Sequence, residues 1–340
     1  MTAIDDRATG AIPDAAAPVV RVRGLSKRFR GGSWLRPTTT DALLDVDLEL
    51  GRGEIVALVG ESGSGKSTLA RCIARLEQPS AGAIELDGDD VLRSQPRGAS
   101  RAFRSRVQMV FQDPFGSLNP AHRVEHVLER SLRLHGRARG DVREQIAELV
   151  ESVGLDRAVL SAFPHELSGG QRQRIAIARV LAVEPEVILA DEPTSMLDVS
   201  VRIGVLNLLS RLREERGIAV LYVTHDLASA RYLADRILVM HRGRLVEGGE
   251  SLALLADPRH PYTRMLVGAV PDPDRTEAFD PVERARLRDE IAAWTTAPRL
   301  VRRDVADLGG GASTAAAPAS GAPAPDHDAE HWVLAPEEIA

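Results

Sequence analysis

One nine-residue stretch, Gly60 to Thr68, constrains this chain more than any other, and it reads GESGSGKST. It fits G-x-x-x-x-G-K-[ST], the pattern of a loop that cradles phosphate. The flanks fit as well. Glu54 to Val59 (EIVALV) is a short apolar run rich in β-branched residues, which predicts a buried strand. Leu69 to Leu76 (LARCIARL) carries apolar residues at helical spacing. Strand, glycine loop and helix together aim several backbone N–H groups at one anion. Gly60, Gly63 and Gly65 let the loop turn tightly and come close to phosphate oxygens with no Cβ in the way, while Glu61, Ser62 and Ser64 fill its variable positions. Lys66 can reach the β- and γ-phosphates and the Ser67 hydroxyl can ligate Mg²⁺. Thr68 follows in the first turn of a helix whose N-terminus favours negative charge. A nucleotide is the expected ligand.

Length and composition limit what can surround that loop. A chain of 340 residues holds one large domain or two smaller ones, and 44% hydrophobic with 27% charged residues fits a soluble globular protein. The net charge of −6, with no basic domain, argues against nucleic acid as the main partner. The single cysteine, Cys72, rules out an internal disulfide or a cysteine-rich metal site within one chain, and it is expected to be a small packing residue. No apolar run approaches the roughly 20 residues that span a bilayer. The start, MTAIDDRATGAIPDAAAP, has early acids and no apolar core, unlike a secretory signal. A cytoplasmic chain is expected, docked by other proteins if it works at a membrane.

Along the chain, residues 1–18 are Ala/Pro/Asp-rich and predict a disordered tail. Val19 to Phe29 alternates and then breaks, as an edge-type strand would. Phe29 suits either stacking on a base or ordinary packing. Gly31 to Thr40 (GGSWLRPTTT) reads as a loop insertion, with Trp34 a second aromatic candidate, and Ala42 to Leu50 as another strand. Beyond the loop helix, Ala83 to Leu86 predicts a strand into a tight turn, and Arg101 to Arg106 a solvated basic face. Val107 to Phe111 is an apolar strand with Gln112 at its carboxyl end, where parallel α/β sheets bind ligands. Val124 to His135 and Val142 to Val153 predict a helical insertion. Ser168-Gly169-Gly170-Gln171 opens a further helix, either an ordinary capped one or a second anion-binding helix start.

Val187 to Ala190 is a fully apolar strand closing on Asp191 and Glu192. Beside a phosphate loop, such an acid suits Mg²⁺, and its neighbour is placed to polarise a water that attacks the γ-phosphate. Ala219 to Val223 ends at Thr224-His225-Asp226, which puts His225 on the same sheet edge as Gln112 and Asp191. Ile237 to Met240 and Arg244 to Glu247 predict a hairpin. Strands and helices alternate throughout, so the core is an α/β domain with a helical insertion.

In this order the pieces resemble the ATP-binding subunits of ABC transporters, over about residues 19–272. The residues that carry the likeness are GESGSGKST, the glutamine of VFQDP, LSGGQ, ILADEP, the pair Leu197-Asp198 and the histidine of VTHD. LSGGQ decides it, because P-loop ATPases in general lack it. The resemblance implies a P-loop NTPase fold of ABC type, with an antiparallel β subdomain and a helical subdomain at about 112–182. The nucleotide-binding domain would span 19–255. It also implies a sandwich dimer with two ATP molecules at the interface. Lys66, Ser67, Gln112 and Asp191 would hold phosphates and Mg²⁺, with Ser67, Gln112 and Asp191 as the metal set. Glu192 would be the general base and His225 would contact the γ-phosphate. Ser168, Gly169, Gly170 and Gln171 would face the partner's ATP, Asp198 would couple the two sites, and Phe29 would stack on adenine.

A narrower resemblance, to importers of dipeptides and oligopeptides and in some cases nickel or glutathione, rests on three stretches: QDPFGSLNP, SMLDVSVR and HPYTRMLVGAVPDPD. It implies a C-terminal motif at 256–275 followed by an extension at 276–340 that is largely flexible. Some members carry cysteines beyond HPYT that hold an iron–sulfur cluster. This chain has none there, HWVL at 331–334 resembles the end of that element without its ligand, and no cluster is expected. Met196 stands where a small residue is usual. The implied partners are a second ATPase subunit, a different chain in preference to a second copy, two membrane permeases and, indirectly, an extracytoplasmic binding protein, with no nucleic acid. The implied place is the cytoplasmic face of the membrane. A soluble ABC ATPase of repair or translation usually has two nucleotide domains or a long coiled coil, and neither is here. A catalytically dead relative would lack Lys66, Glu192 or His225, and all three stand.

Overall fold

Two sheets carry the fold in the computed structural model, which describes residues 17–33, 36–113, 116, 118–270, 281–296, 300–304 and 331–336. The predicted tail up to residue 16, Trp34, and the Ala/Gly/Pro-rich run from Leu308 to Pro325 lie outside them. The first sheet is antiparallel, in the order β2-β1-β4-β5, with β1 Val20–Ser33, β2 Arg36–Leu50, β4 Ala81–Leu86 and β5 Asp89–Asp90. The second has the order β11-β12-β10-β9-β3-β8-β7-β6 among the described residues. Its strands are β3 Ile55–Val59, β6 Val107–Val110, β7 Val187–Asp191, β8 Ala219–Thr224, β9 Arg236–His241, β10 Arg244–Glu250, β11 Leu300–Asp304 and β12 Trp332–Pro336.

The helices are α1 Lys66–Ile73, α2 Val91–Ser94, α3 Arg101–Arg106, α4 Val124–Leu134, α5 Val142–Ser152 and α6 Gly169–Leu181. After them come α7 Val199–Arg216, α8 Leu227–Leu233, α9 Ser251–Ala256, α10 Pro261–Gly268 and α11 Pro281–Thr296. No helix among the described residues is long and apolar enough to cross a membrane.

The strand before the phosphate loop is apolar throughout because both its faces are covered. Ile55, Ala57 and Val59 pack into one core with Tyr222 and Ile175, and Val56 and Leu58 into another with Leu69, Ile73 and Leu48 of the first sheet. Cys72 is fully buried in that second core, and burial pushes its thiol up to about 11, as suits a packing residue. Helices α4, α5 and α6 bury Leu128, Leu132, Ile146 and Ile175 together, which is the expected helical insertion.

Parallel register sets the site. Val59 lies opposite both Thr224 and Val239, Val223 opposite Asp191, and Ala190 opposite Val110. The strands stop at one level, so the residues that follow them, Gly60, His225, Glu192 and Gln112, emerge along one edge.

Three features depart from the sequence expectations. GGSWLRPTTT supplies the arms of a hairpin instead of a loop, with Gly31 opposite Thr38 and Ser33 opposite Arg36. Its Gly and Pro residues read as breakers, yet β2 is an edge strand, where the missing N–H of Pro37 costs little. The true edge is therefore β2, and β1 runs between β2 and β4. Arg106, the last residue of the basic run, is ion-paired with Glu186 and Asp87, which Arg52 also binds. The Arg106 guanidinium holds the Glu186 carboxyl below its usual range.

The third departure is the extension at 276–340, whose described parts are α11, β11 and β12. β12 adds to the second sheet beside β10, Val333 opposite Glu247 and Trp332 opposite Gly248. Trp332 is only 5% exposed, and a Cβ on Gly248 would stand 2.8 Å from its ring. The sequence shows HWVL there only as a family likeness and not as a strand, because the strand's partner lies more than eighty residues upstream. Replacing Trp332 with Ala is expected to lower the unfolding free energy in a denaturant titration by about 3–5 kcal/mol. A loss below about 1 kcal/mol, the range of surface substitutions, would show that β12 does not belong to the fold.

Candidate nucleotide site

A cavity of about 620 Å³ opens at the shared strand edge, lined by most of Gly60–Thr68 together with Thr40, Asp41, Ala42, Gln112, Glu192, His225 and Leu266. The glycines divide in purpose. Gly60 (φ 152°) and Gly65 (φ 114°) have no room for a side chain, since a Cβ would meet the Met240 carbonyl oxygen at 2.2 Å and that of Ala42 at 2.5 Å. Gly63 (φ 80°) faces open space, so its need is the left-handed backbone alone. Two of the three are thus required by neighbouring backbone and not by the phosphate. The loop is pinned from below as well, where Gly243 N–H donates to the Ser64 carbonyl at 2.8 Å and Glu61 N–H to the Tyr262 hydroxyl at 2.8 Å.

Lys66 is buried, and its ammonium donates to the carbonyls of Gly60 (2.6 Å) and Glu61 (2.8 Å). Burial pulls its pKa down, against the opposing charges of Glu192, Asp191 and Glu61. The Ser67 hydroxyl donates to Asp191 Oδ1 at 2.7 Å. Burial pushes the Asp191 carboxyl up, and the Ser67 hydrogen bond works against that. Two hard oxygens held together, one on the buried Asp191 and one on Ser67 at the cavity wall, suit a hard cation. Among the described residues no group of three or more His, Cys, Asp or Glu could hold a metal unaided, so a cation here would also draw on phosphates and water.

Glu192 is the strained residue of the site. Its φ of 47° is unusual for a side chain that is not glycine, and it is fixed by its N–H donating to Val223 at 2.9 Å. Its carboxylate is gripped from two sides, by Gln112 Nε2 at 3.0 Å and by His225 Nδ1 at 3.4 Å. Behind it, the buried Tyr222 hydroxyl bridges Thr194 (3.2 Å) and Ser229 (3.1 Å), tying the loop after Glu192 to the helix after His225.

The structure therefore brings together the phosphate loop, Gln112, Asp191, Glu192 and His225. Ser168, Gly169, Gly170, Gln171 and Asp198 do not line this cavity. Ser168 and Gln171 form a reciprocal capping box, and a Cβ on Gly170 would collide with Val201 at 2.2 Å, so this glycine serves close packing of α6 on α7. Gly169 lies beside Leu197. Around them Met196, Val199 and Ile203 are exposed. Phe29 is half-exposed and does not line the cavity, although Thr40, its partner across the strands, does. Lys27 sits over its ring at 4.6 Å. Sequence reasoning missed Thr40 to Ala42, Leu266, Tyr222 and Tyr262. The hairpin pairing brings the first three residues in, and from the sequence HPYT reads as a family mark and not as a neighbour of the loop.

The family pattern "ABC transporter" matches residues 43–195, and "Oligopeptide/dipeptide transporter, C-terminal region" matches 246–292. The dipeptide transport ATP-binding protein DppF of Escherichia coli is 40% identical over 83% of this chain and 84% of its own length. The chain belongs to the ABC transporter ATP-binding family. The oligopeptide transport ATP-binding protein OppF of Bacillus subtilis is 43% identical over 69% of this chain and 78% of its own. The ATP-binding cassette MJ0796, solved as a dimer in a post-hydrolysis state with ADP and Pi, superposes with a TM-score of 0.59 at 31% identity. That match covers 68% of this chain and 98% of the cassette. ATP hydrolysis is the activity of this family, and the chain is an ABC ATPase.

In this ABC ATPase the second matched region is built on a buried carboxylate. Glu247, fully buried, accepts the N–H groups of Arg259 (2.8 Å) and His260 (3.0 Å) and pairs with His331 Nε2 (2.8 Å). His260 Nδ1 accepts the Tyr262 N–H at 3.0 Å and caps α10. Burial pulls His260 down to about 3 and His241 to about 4. Both values lie below that of an unfolded histidine, so the folded chain keeps the rings neutral and stability is complete above about pH 6.5. As pH falls below that, the unfolded chain binds protons the folded one refuses, and stability drops. Between pH 7 and 5 His260 alone should cost about 2 kcal/mol. Urea midpoints at the two pH values should record this loss. His260→Asn, which keeps a capping oxygen but cannot titrate, should reduce the pH dependence by about half and leave the share of His241.

Proposed function

We propose that this chain is the ATP-hydrolysing subunit of a membrane importer for dipeptides or oligopeptides, docked peripherally on the cytoplasmic face. The observation that carries the proposal is the Glu192 carboxylate held between Gln112 and His225 at the mouth of a phosphate loop. The matched C-terminal region, and the transport of dipeptides and oligopeptides in the names of the relatives, support the choice of cargo.

The site works by positioning and charge. Backbone N–H groups of the loop and the Lys66 ammonium take the β- and γ-phosphates. Two of the three ammonium N–H donors are seated on loop carbonyls, which would leave the third for a phosphate oxygen. Ser67 and Asp191, with Gln112, would hold Mg²⁺, which would neutralise phosphate charge. Glu192 would accept the proton of the attacking water, oriented by Gln112 and His225, and His225 would then reach the γ-phosphate. Phe29, on the strand beside Thr40, would stack on adenine.

One chain holds half of a working site in this reading. Ser168 to Gln171 and Asp198 would close over the ATP of a second ATPase subunit, through a surface that includes the exposed Met196, Val199 and Ile203. Two permeases would couple closure to transport, with a binding protein outside delivering the peptide.

Glu192→Gln tests the base. It keeps the shape but cannot take a proton, so MgATP binding should persist while turnover falls by at least about 100-fold. Turnover equal to the parent's would show that another group is the base. Uptake of labelled dipeptide into vesicles carrying the complete importer tests the cargo, and uptake unaffected by unlabelled dipeptide would contradict it.

A further inference from the structure

The phosphate loop leans on a residue two hundred positions away. Tyr262 is fully buried at the start of α10, and its hydroxyl accepts the Glu61 N–H at 2.8 Å. That N–H belongs to the peptide unit between Gly60 and Glu61. The carbonyl on the other side of the same planar unit is that of Gly60, which accepts the Lys66 ammonium at 2.6 Å. Tyr262 and Lys66 thus hold opposite ends of one rigid plate. Rotation of the plate that frees the Tyr262 hydroxyl also moves the oxygen that seats Lys66.

The tyrosine is itself fixed from several directions. Its N–H is capped by His260, whose own N–H is held by Glu247, and the His241 ring lies 4.1 Å away. One turn along the same helix face, Leu266 lines the nucleotide cavity. His331, beside β12, binds the same Glu247. A continuous hydrogen-bonded path therefore runs from the last strand of the sheet, through Glu247 and His260, to the peptide plane under Lys66.

We propose that Tyr262 is a positioning residue for ATP binding, which fixes the Gly60–Glu61 peptide plane and through it Lys66, with Glu247 holding the tyrosine in place. The proposal rests on the nucleotide-site reading above and extends it to the C-terminal region. Burial pushes the phenol up to about 12, so at neutral pH it stays a hydroxyl. Its role is geometric, and neither proton transfer nor contact with the reacting phosphate is asked of it.

Tyr262→Phe removes the hydroxyl and nothing else. In the full-length chain it should raise the calorimetric Kd for MgATP about tenfold, because the loop must now be ordered by the ligand. Turnover of the assembled importer at saturating MgATP should stay within about twofold, as expected for loss of uniform binding. Trp294→Leu is the comparator. This residue packs edge-on against His260 at 4.9 Å and does not line the cavity, so it should lower the denaturation midpoint without changing Kd. An unchanged Kd in Tyr262→Phe, or an equal rise in both variants, overturns the proposal. Should Tyr262→Phe fail to fold, Glu247→Gln decides. A raised Kd with turnover kept supports the path, and a parental Kd overturns it. A parent chain that does not bind MgATP at all refutes the nucleotide reading, and this proposal with it.

Discussion

The site depends first on how parallel strands line up. β3, β8 and β7 pair so that Val59 lies level with Thr224 and Asp191 with Val223, and β6 falls in beside them. Hydrogen bonds between strands fix that register, and buried apolar faces on both sides hold it, since a slip of one residue would turn Val56 and Leu58 into the wrong core. Once the register is fixed, phosphate loop, glutamine, carboxylates and histidine converge without further long-range instruction. The cost is local strain, seen at Glu192, whose positive φ is stabilised by Val223 and by the grip of Gln112 and His225 on its carboxylate.

The loop itself is supported more by protein than its glycines suggest. Met240 and Ala42 crowd Gly60 and Gly65, Gly243 holds Ser64, and Tyr262 holds Glu61. Hairpin, first sheet and C-terminal helix all meet under one short segment. Lys66 is therefore seated in advance, and in the proposed site less entropy would be lost when a nucleotide binds. Among the described residues, the Ser168 helix start and the Asp198 loop do not line the cavity. They lie side by side, with apolar residues exposed around them, as fits a surface that serves a neighbour's ATP in the proposed assembly.

Much of this was legible in the sequence because it is local. A glycine loop between an apolar strand and a helix, an apolar strand ending in Asp191-Glu192, and a histidine after another apolar strand each carry their meaning within ten residues. The helical insertion was legible from its periodicity. The misreadings are all non-local. GGSWLRPTTT looks like a loop until its two halves are seen to pair. Arg106 looks like surface charge until Glu186 and Asp87, distant in sequence, arrive beside it. β12 and Tyr262 act on partners far upstream, and no spacing rule reports a tyrosine hydroxyl under a peptide plane. Gly170 illustrates a different limit, for glycine at a helix start signals anion binding and tight packing equally, and here a Cβ would strike Val201.

Gly169→Asp tests most directly whether this chain holds half of an ATP site. In the single chain a Cβ at Gly169 has ordinary contact with Leu197 at 3.6 Å, and an acid in the first helical turn is favourable. Folding and MgATP affinity of the isolated chain should be unchanged. Facing a partner's γ-phosphate, the same carboxylate should repel it, and ATP turnover of the assembled importer should fall by at least about tenfold, the effect of about 1.4 kcal/mol. Parental turnover in the assembly, or lost affinity in the isolated chain, would contradict a site completed in trans.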